Sequence, residues 1–263
     1  MGSNRKYAIE LSYNGANYHG WQIQPNANTV QQELTRAVST ITRTPITITG
    51  AGRTDTGVHA AYFTAHFESV ADLDTRELCF RLNRLLPNDI SLFSIKKVGD
   101  DFHARYSAIS RTYKYLVTSG KSAFLHDLSH QYTGVLNLDK MNQAADFLTR
   151  YTDFTSFAKL HSDNKTNICR VYSASWSEYR EFLIFTIKAD RFLRNMVRAI
   201  TGTLLDIGKG SMEPGEMERI LIAMDNNLAS MSAPAKGLYL TDIEYPESYS
   251  LNNPVKNDEL PFI

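Results

Sequence analysis

Residues 50–59 read Gly50-Ala51-Gly52-Arg53-Thr54-Asp55-Thr56-Gly57-Val58-His59. Three glycines in eight residues mark a backbone with unusual torsions, or one lying close against something else. Between them sit one cation, one carboxylate and two hydroxyls. Ile46 and Ile48 suggest a short strand before the segment, and Phe63, Ala65 and Phe67 alternate after it. A loop between strands can project a carboxylate into a cleft while packing fixes its backbone. Asp55 is then a candidate nucleophile, general base or metal ligand. Arg53 is a candidate clamp for a carboxylate or phosphate. The competing reading is an ordinary turn in which Thr54 and Asp55 bond to their own backbone.

Upstream, Tyr7, Ile9, Leu11 and Tyr13 alternate as a half-buried strand. Thr29 opens a capping box with Gln32, and Val30, Leu34, Ala37, Val38 and Ile41 follow on one helical face. Downstream, Asp74 caps a second helix with Leu78, Leu82 and Leu85 inward. That helix ends before Pro87, and a strand covers Ile90 to Val98. The second half repeats the order. A long strand covers 104–117, a helix 138–150, and strands lie near 168–178 and 181–189. A helix over 192–207 is closed by Gly208, a short one starts near Pro214, and a last strand covers 237–245. Each half is βαββαβ. The expected class is α+β: two tandem ferredoxin-like halves, 1–103 and 104–263, with mixed, mainly antiparallel sheets and a central cleft. An irregular tail is expected from about residue 250.

The 263 residues include 28 basic and 28 acidic side chains, and 43% are hydrophobic, which suits a globular chain and not a disordered one. Cys79 and Cys169 form no CxxC pair, which excludes a disulfide-rich scaffold and a cysteine-based zinc finger. The start MGSNRKYAIE is polar, so no signal peptide is expected. No stretch approaches the ~18 apolar residues of a membrane span. The expected setting is cytoplasmic. There is no dinucleotide fingerprint, P-loop or metal-ligand motif, and no cofactor or metal is expected. The neutral total hides an asymmetry. Residues 1–212 hold 25 basic against 19 acidic side chains, so a polyanion can bind that portion.

The segment GRTDTGVHA resembles the GRTDAGVHA signature of the TruA family of tRNA pseudouridine synthases, with Thr56 where alanine is common. The likeness continues in Tyr18-His19-Gly20-Trp21-Gln22 with Gln24, and in Thr29-Val30-Gln31. Asn83, Leu86-Pro87 and Asp89-Ile90 match NxxLPxDI, and Asp101-Phe102-His103-Ala104-Arg105 matches DFHAR. Arg111-Thr112-Tyr113-Lys114-Tyr115 matches RxYxY, and Asp153-Phe154-Thr155-Ser156-Phe157 matches DFTSF. Met196-Val197-Arg198 and Gly237-Leu238-Tyr239-Leu240 complete the set. The ordered matches run from about residue 7 to 246.

The resemblance implies the pseudouridine synthase fold and isomerisation of uridine to pseudouridine at positions 38, 39 and 40 of the tRNA anticodon stem-loop. The first half would carry the Asp55 loop, and the second would complete the active site and the tRNA-binding cleft. Asp55 aligns with the catalytic aspartate and Arg53 stands beside it. Tyr113 aligns with the active-site tyrosine, whose ring can stack on uracil. Arg198 aligns with the arginine that pairs with that aspartate; a close guanidinium favours an ionised carboxylate. Leu238 aligns with an apolar residue of the uracil pocket. Arg105, Arg111 and Arg194 are the expected phosphate contacts, with Lys114, Lys159, Lys165 and Arg191 beside them. The family acts as a homodimer without a cofactor. His59 and His103 read as packed or RNA-facing, and His126, His130 and His161 as loop residues. Two other classes compete: a catalytically silent RNA-binding protein, and a metal-dependent nuclease using Asp55 as a ligand.

Overall fold

The computed structural model describes residues 4–159, 165–251 and 253–254. Most of the tail expected from residue 250, and His161, lie outside the described residues. The chain forms two compact units. One comprises the described parts of Met1–Ile109 and Leu240–Ile263, and the other those of Ser110–Tyr239.

The first unit runs β1 (Arg5–Tyr13), α1 (Val30–Thr42), β2 (Thr49–Gly50), β3 (His59–Ser69), α2 (Thr75–Leu85) and β4 (Ile90–Val98). This is the expected βαββαβ order. β1 lies between β3 and β4, antiparallel to both, and β2 pairs with β3. The helix caps are those read from local chemistry. Thr29 accepts from the Gln32 N–H, and Asp74 from the N–H groups of Arg76 and Glu77.

Two details differ from expectation. Ile46 and Ile48 are buried, but the short strand is Thr49–Gly50. β1 is also not half-buried, because Ala8 and Glu10, between its apolar residues, are buried too. Glu10, 1% exposed, accepts from the Tyr62 hydroxyl (2.6 Å) and the Ser94 hydroxyl, and pairs with Lys96 (2.7 Å). Those partners offset the desolvation that otherwise keeps carboxylates out of sheets. Alternation reports which residues share a face; it does not report whether the second face is covered.

The second unit runs β5 (Ser110–Thr118), β6 (His130–Gln131), α3 (Leu138–Phe147), β7 (Val171–Tyr179), β8 (Phe182–Ala189), α4 (Met196–Gly208) and α5 (Gly215–Ala223). β8 lies antiparallel between β5 and β7, and β6 adds a short parallel pairing to β5. β9 (Leu238–Glu244) starts in this unit, and Leu240–Glu244 belong to the first. The expected division after residue 103 therefore stands beside units that part at Ile109/Ser110, with the chain returning to the first unit at Leu240.

Boundaries shift where tertiary contacts outweigh pattern. The strand expected over 104–117 begins only at Ser110, because residues 103–107 form a turn closed by a Ser107 N–H to His103 C=O bond (2.9 Å). The helix expected over 192–207 starts at Met196, behind Asn195 in the left-handed region (φ 66°). Asn tolerates that conformation. Gly208 is the helix's last residue and Lys209 its cap. The 138–150 helix stops at Phe147, and His130 lies in β6 instead of a loop. Among the described residues, no helix is long and apolar enough to cross a membrane.

Candidate active site

The loop 50–59 leaves β2 and returns into β3. Its entry is fixed by the Ala51 N–H, which donates to Thr64 C=O (2.8 Å). Its middle leans on residues 13–21, the last residue of β1 and the stretch after it. The Trp21 N–H donates to Thr54 C=O (3.3 Å), and the Gly57 N–H donates to Tyr18 C=O (3.2 Å). The Thr54 hydroxyl is 2.9 Å from the Tyr13 hydroxyl, both buried. At the exit, the Gly15 N–H donates to His59 Nδ1 (3.0 Å), so that imidazole carries its proton on Nε2. His59 is packed, at 1% exposed. Within the loop, the Val58 N–H donates to Asp55 C=O (3.1 Å). Asp55 is half-buried at the tip, with exposed Arg53 and Thr56 on either side.

The glycines divide by purpose. A Cβ on Gly50 would lie 2.4 Å from the Trp21 indole nitrogen, so its role is close approach. Gly57 has φ 78°, which favours glycine. Gly52 has open space and no such torsion. Trp21 stacks on Phe63 of β3, with ring centroids 4.1 Å apart, so the clamp rests on the core of the unit.

The Asp89-Ile90 motif of the first unit is tied to this clamp. The Tyr18 hydroxyl donates to Asp89, and burial with that carboxylate bond pushes its pKa up. The Asn14 N–H donates to Asp89 C=O (2.9 Å). Asn83, in the last turns of α2, holds Leu92 of β4 through both its amide donor (2.9 Å) and its acceptor (2.8 Å). In the sequence Tyr13 belongs to the first strand's alternation and Gly20 and Trp21 to a motif, with nothing to tie them to the Asp55 loop. The signal was present in the Tyr18–Gln22 motif, whose backbone carries the loop.

In the second unit, Tyr113 lies on β5 opposite Ile187 of β8. It is half-buried, and its ring meets that of Phe192 edge-on at 5.1 Å. Tyr115, two residues on, is wholly buried; its hydroxyl donates to Pro234 C=O (2.9 Å), and burial pushes its pKa up. Arg198 is on the first turn of α4. Its Nε donates to Ala233 C=O (2.9 Å), and the Ala233 N–H donates back to Arg198 C=O (2.9 Å). Residues 233–234 thus bind both the arginine and Tyr115. Gly237 packs against the Tyr115 ring, and buried Leu238 follows it into β9. Tyr113, Arg198 and Leu238 are accordingly carried by three elements linked through the 233–238 segment.

Of the expected phosphate contacts, Arg105 is exposed, in the first unit. Arg194 is exposed and Arg111 half-buried, its guanidinium donating to Asp190 C=O (2.8 Å). Lys159 and Lys165 are exposed and Arg191 half-buried. Lys114, named with them, is only 9% exposed. Among the described residues there is no group of three or more His, Cys, Asp or Glu side chains placed to hold a metal ion.

A family profile described as tRNA pseudouridine synthase matches residues 10–107 and 151–246. The chain is 48% identical over 246 residues to tRNA pseudouridine synthase A of Bacteroides thetaiotaomicron, covering 92% of this chain and 91% of that protein. It is 49% identical to the protein of the same name from Parabacteroides distasonis, covering 92% and 97%. For that of Pseudoalteromonas translucida the identity is 39%, covering 94% of each. Likeness of this extent, running through the Asp55 loop, its clamp and the segments that hold Tyr113 and Arg198, means that the chain belongs to the tRNA pseudouridine synthase family.

Proposed function

We propose that this chain isomerises uridine to pseudouridine in tRNA, at positions 38, 39 and 40 of the anticodon stem-loop, with Asp55 as nucleophile. The N1–C1′ glycosidic bond breaks, the freed uracil turns, C5 bonds to C1′, the C5 hydrogen leaves as a proton, and N1 takes up a proton, so the product is an isomer of the substrate. The chemistry needs no electron and no donated group. The target base leaves its stack to reach the carboxylate. The observation that carries the reading is the placement of Asp55: half-buried at a loop tip whose backbone is bonded on both sides to residues 18–21. A nucleophile held this way has lost the freedom that a reaction in solution must give up.

Tyr113 is assigned to stack on the uracil, with Leu238 on the apolar side of the pocket. Arg198 is assigned to the chemical step. Arg53, exposed beside Asp55, fills the space left by the flipped base or grips the backbone. Arg105, Arg111 and Arg194 position the RNA through phosphate. The working species is a homodimer, with one tRNA touching both subunits.

The test is unmodified tRNA carrying tritium at uracil C5, incubated with the protein and a chelator. Tritium release with RNA length unchanged is the expected result. Binding without release identifies a silent RNA-binding protein, and shortened RNA a nuclease; either overturns the reading. A further expectation concerns Arg198→Met. Turnover should fall on the order of 10²-fold or more, while the tRNA Kd changes less than about threefold. Equal losses in both would reassign Arg198 to a phosphate contact.

A further inference from the structure

Arg105 belongs to the DFHAR motif, residues 101–105. Its other residues build an unusually determined turn. Phe102 and Ala104 are fully buried. Lys6 Nζ donates to Phe102 C=O (3.0 Å), and the Tyr245 hydroxyl donates to Ala104 C=O (2.6 Å). The three successive N–H groups that follow all end on imidazole nitrogen. Ala104 N–H donates to His66 Nδ1 (3.2 Å), while Arg105 and Tyr106 N–H donate to His103 Nδ1 (3.2 and 3.3 Å). The His103 N–H donates to the Ser107 hydroxyl (2.9 Å). The His103 ring lies between those of His66 (4.7 Å) and Tyr106 (4.4 Å). All this order serves a tip where Tyr106 is 76% exposed and the Arg105 guanidinium lies 5.7 Å from its ring centroid. A large aromatic held rigidly in water beside a cation is the chemistry of single-stranded RNA contact, where rings stack on bases and guanidinium meets phosphate.

We propose that the turn 102–107 is a contact platform for the tRNA, with Tyr106 as the stacking residue and His103 as the residue that positions it through an unprotonated Nδ1. The proposal rests on the RNA-modifying function above. A protonated His103 has no acceptor at Nδ1, so both N–H bonds are lost together. Burial and nearby Lys6 hold the His103 pKa below its usual value, and burial pushes His66 down to about 4. The charged and titratable groups facing the pair are Lys6 of β1, Glu68 of β3, and Arg105, Tyr106 and Tyr245. Asp101, at the start of the turn, is bonded to the Tyr249 hydroxyl.

The test uses the full chain and the tritium assay. Tyr106→Ala raises KM for tRNA about tenfold with kcat within about twofold, and Tyr106→Phe restores KM. His103→Ala raises KM likewise, and His103→Asn, whose Oδ1 accepts but does not protonate, recovers most of it. The wild-type KM rises as pH falls below the ordinary imidazole range, and the Asn variant flattens that rise. Unchanged KM in Tyr106→Ala, or equal losses in the Ala and Asn variants of His103, overturns the platform. If the wild type releases no tritium, the function reading has failed instead. Equilibrium binding of tRNA by the same variants then decides the platform alone, on the same fold-changes.

Discussion

Asp55→Asn stops tritium release, with turnover falling by a factor on the order of 10⁴ or more, while tRNA still binds within about threefold of the wild-type Kd. The substitution exchanges one oxygen for an amide nitrogen and keeps the shape of the side chain. The loop is held by backbone bonds from Trp21 and Gly57, by the Thr54–Tyr13 hydroxyl pair and by His59, none of which passes through the Asp55 carboxylate. Those bonds are left in place by the substitution, and circular dichroism and the Tm of the variant check the fold. What is lost is the nucleophile, since an amide oxygen neither carries the charge nor attacks carbon at a useful rate. The phosphate contacts assigned to Arg105, Arg111 and Arg194 lie elsewhere in the chain and remain. Appreciable release by the Asn variant would remove Asp55 from the chemistry. Loss of binding in step with turnover would make it a binding residue instead.

Gly20→Ala is the second large effect, and it acts without touching the carboxylate. Gly20 has φ 84°, and a Cβ there would lie 2.2 Å from Thr54 C=O. That carbonyl accepts the Trp21 N–H, so the clash falls on the bond that fixes the loop next to Asp55. The torsion and the clash together cost on the order of 3 kcal/mol. Loop and clamp separate to relieve it. A displacement of about 1 Å at a nucleophile lowers turnover roughly 10²-fold. Denaturant unfolding and the tritium assay read the two parts. Gly52→Ala is the matched control: nothing lies within 4 Å of its added carbon, and stability should change by less than about 1 kcal/mol. A Gly20→Ala protein with wild-type turnover would show that the 18–21 clamp does not position Asp55.

Short-range physics made much of this molecule legible in its sequence. Thr29 and Asp74 cap the helices they were expected to cap, because a cap needs only a side-chain oxygen and an N–H two or three residues away. The first unit follows the βαββαβ order, since periodicity and breakers are also local signals. The motifs led to the family, which the comparisons establish. Tertiary structure decided the rest. Buried Glu10 depends on Tyr62, Ser94 and Lys96, the nearest of them 52 residues away along the chain. The turn at 103–107 replaces a strand partly because His66, far upstream, accepts the Ala104 N–H. The Asp55 loop takes its form from Tyr13, Tyr18, Gly20 and Trp21, about 35 residues earlier. A sequence states which groups are available to bond; where a buried group finds a distant partner is settled only when the chain closes on itself and water is excluded from the choice.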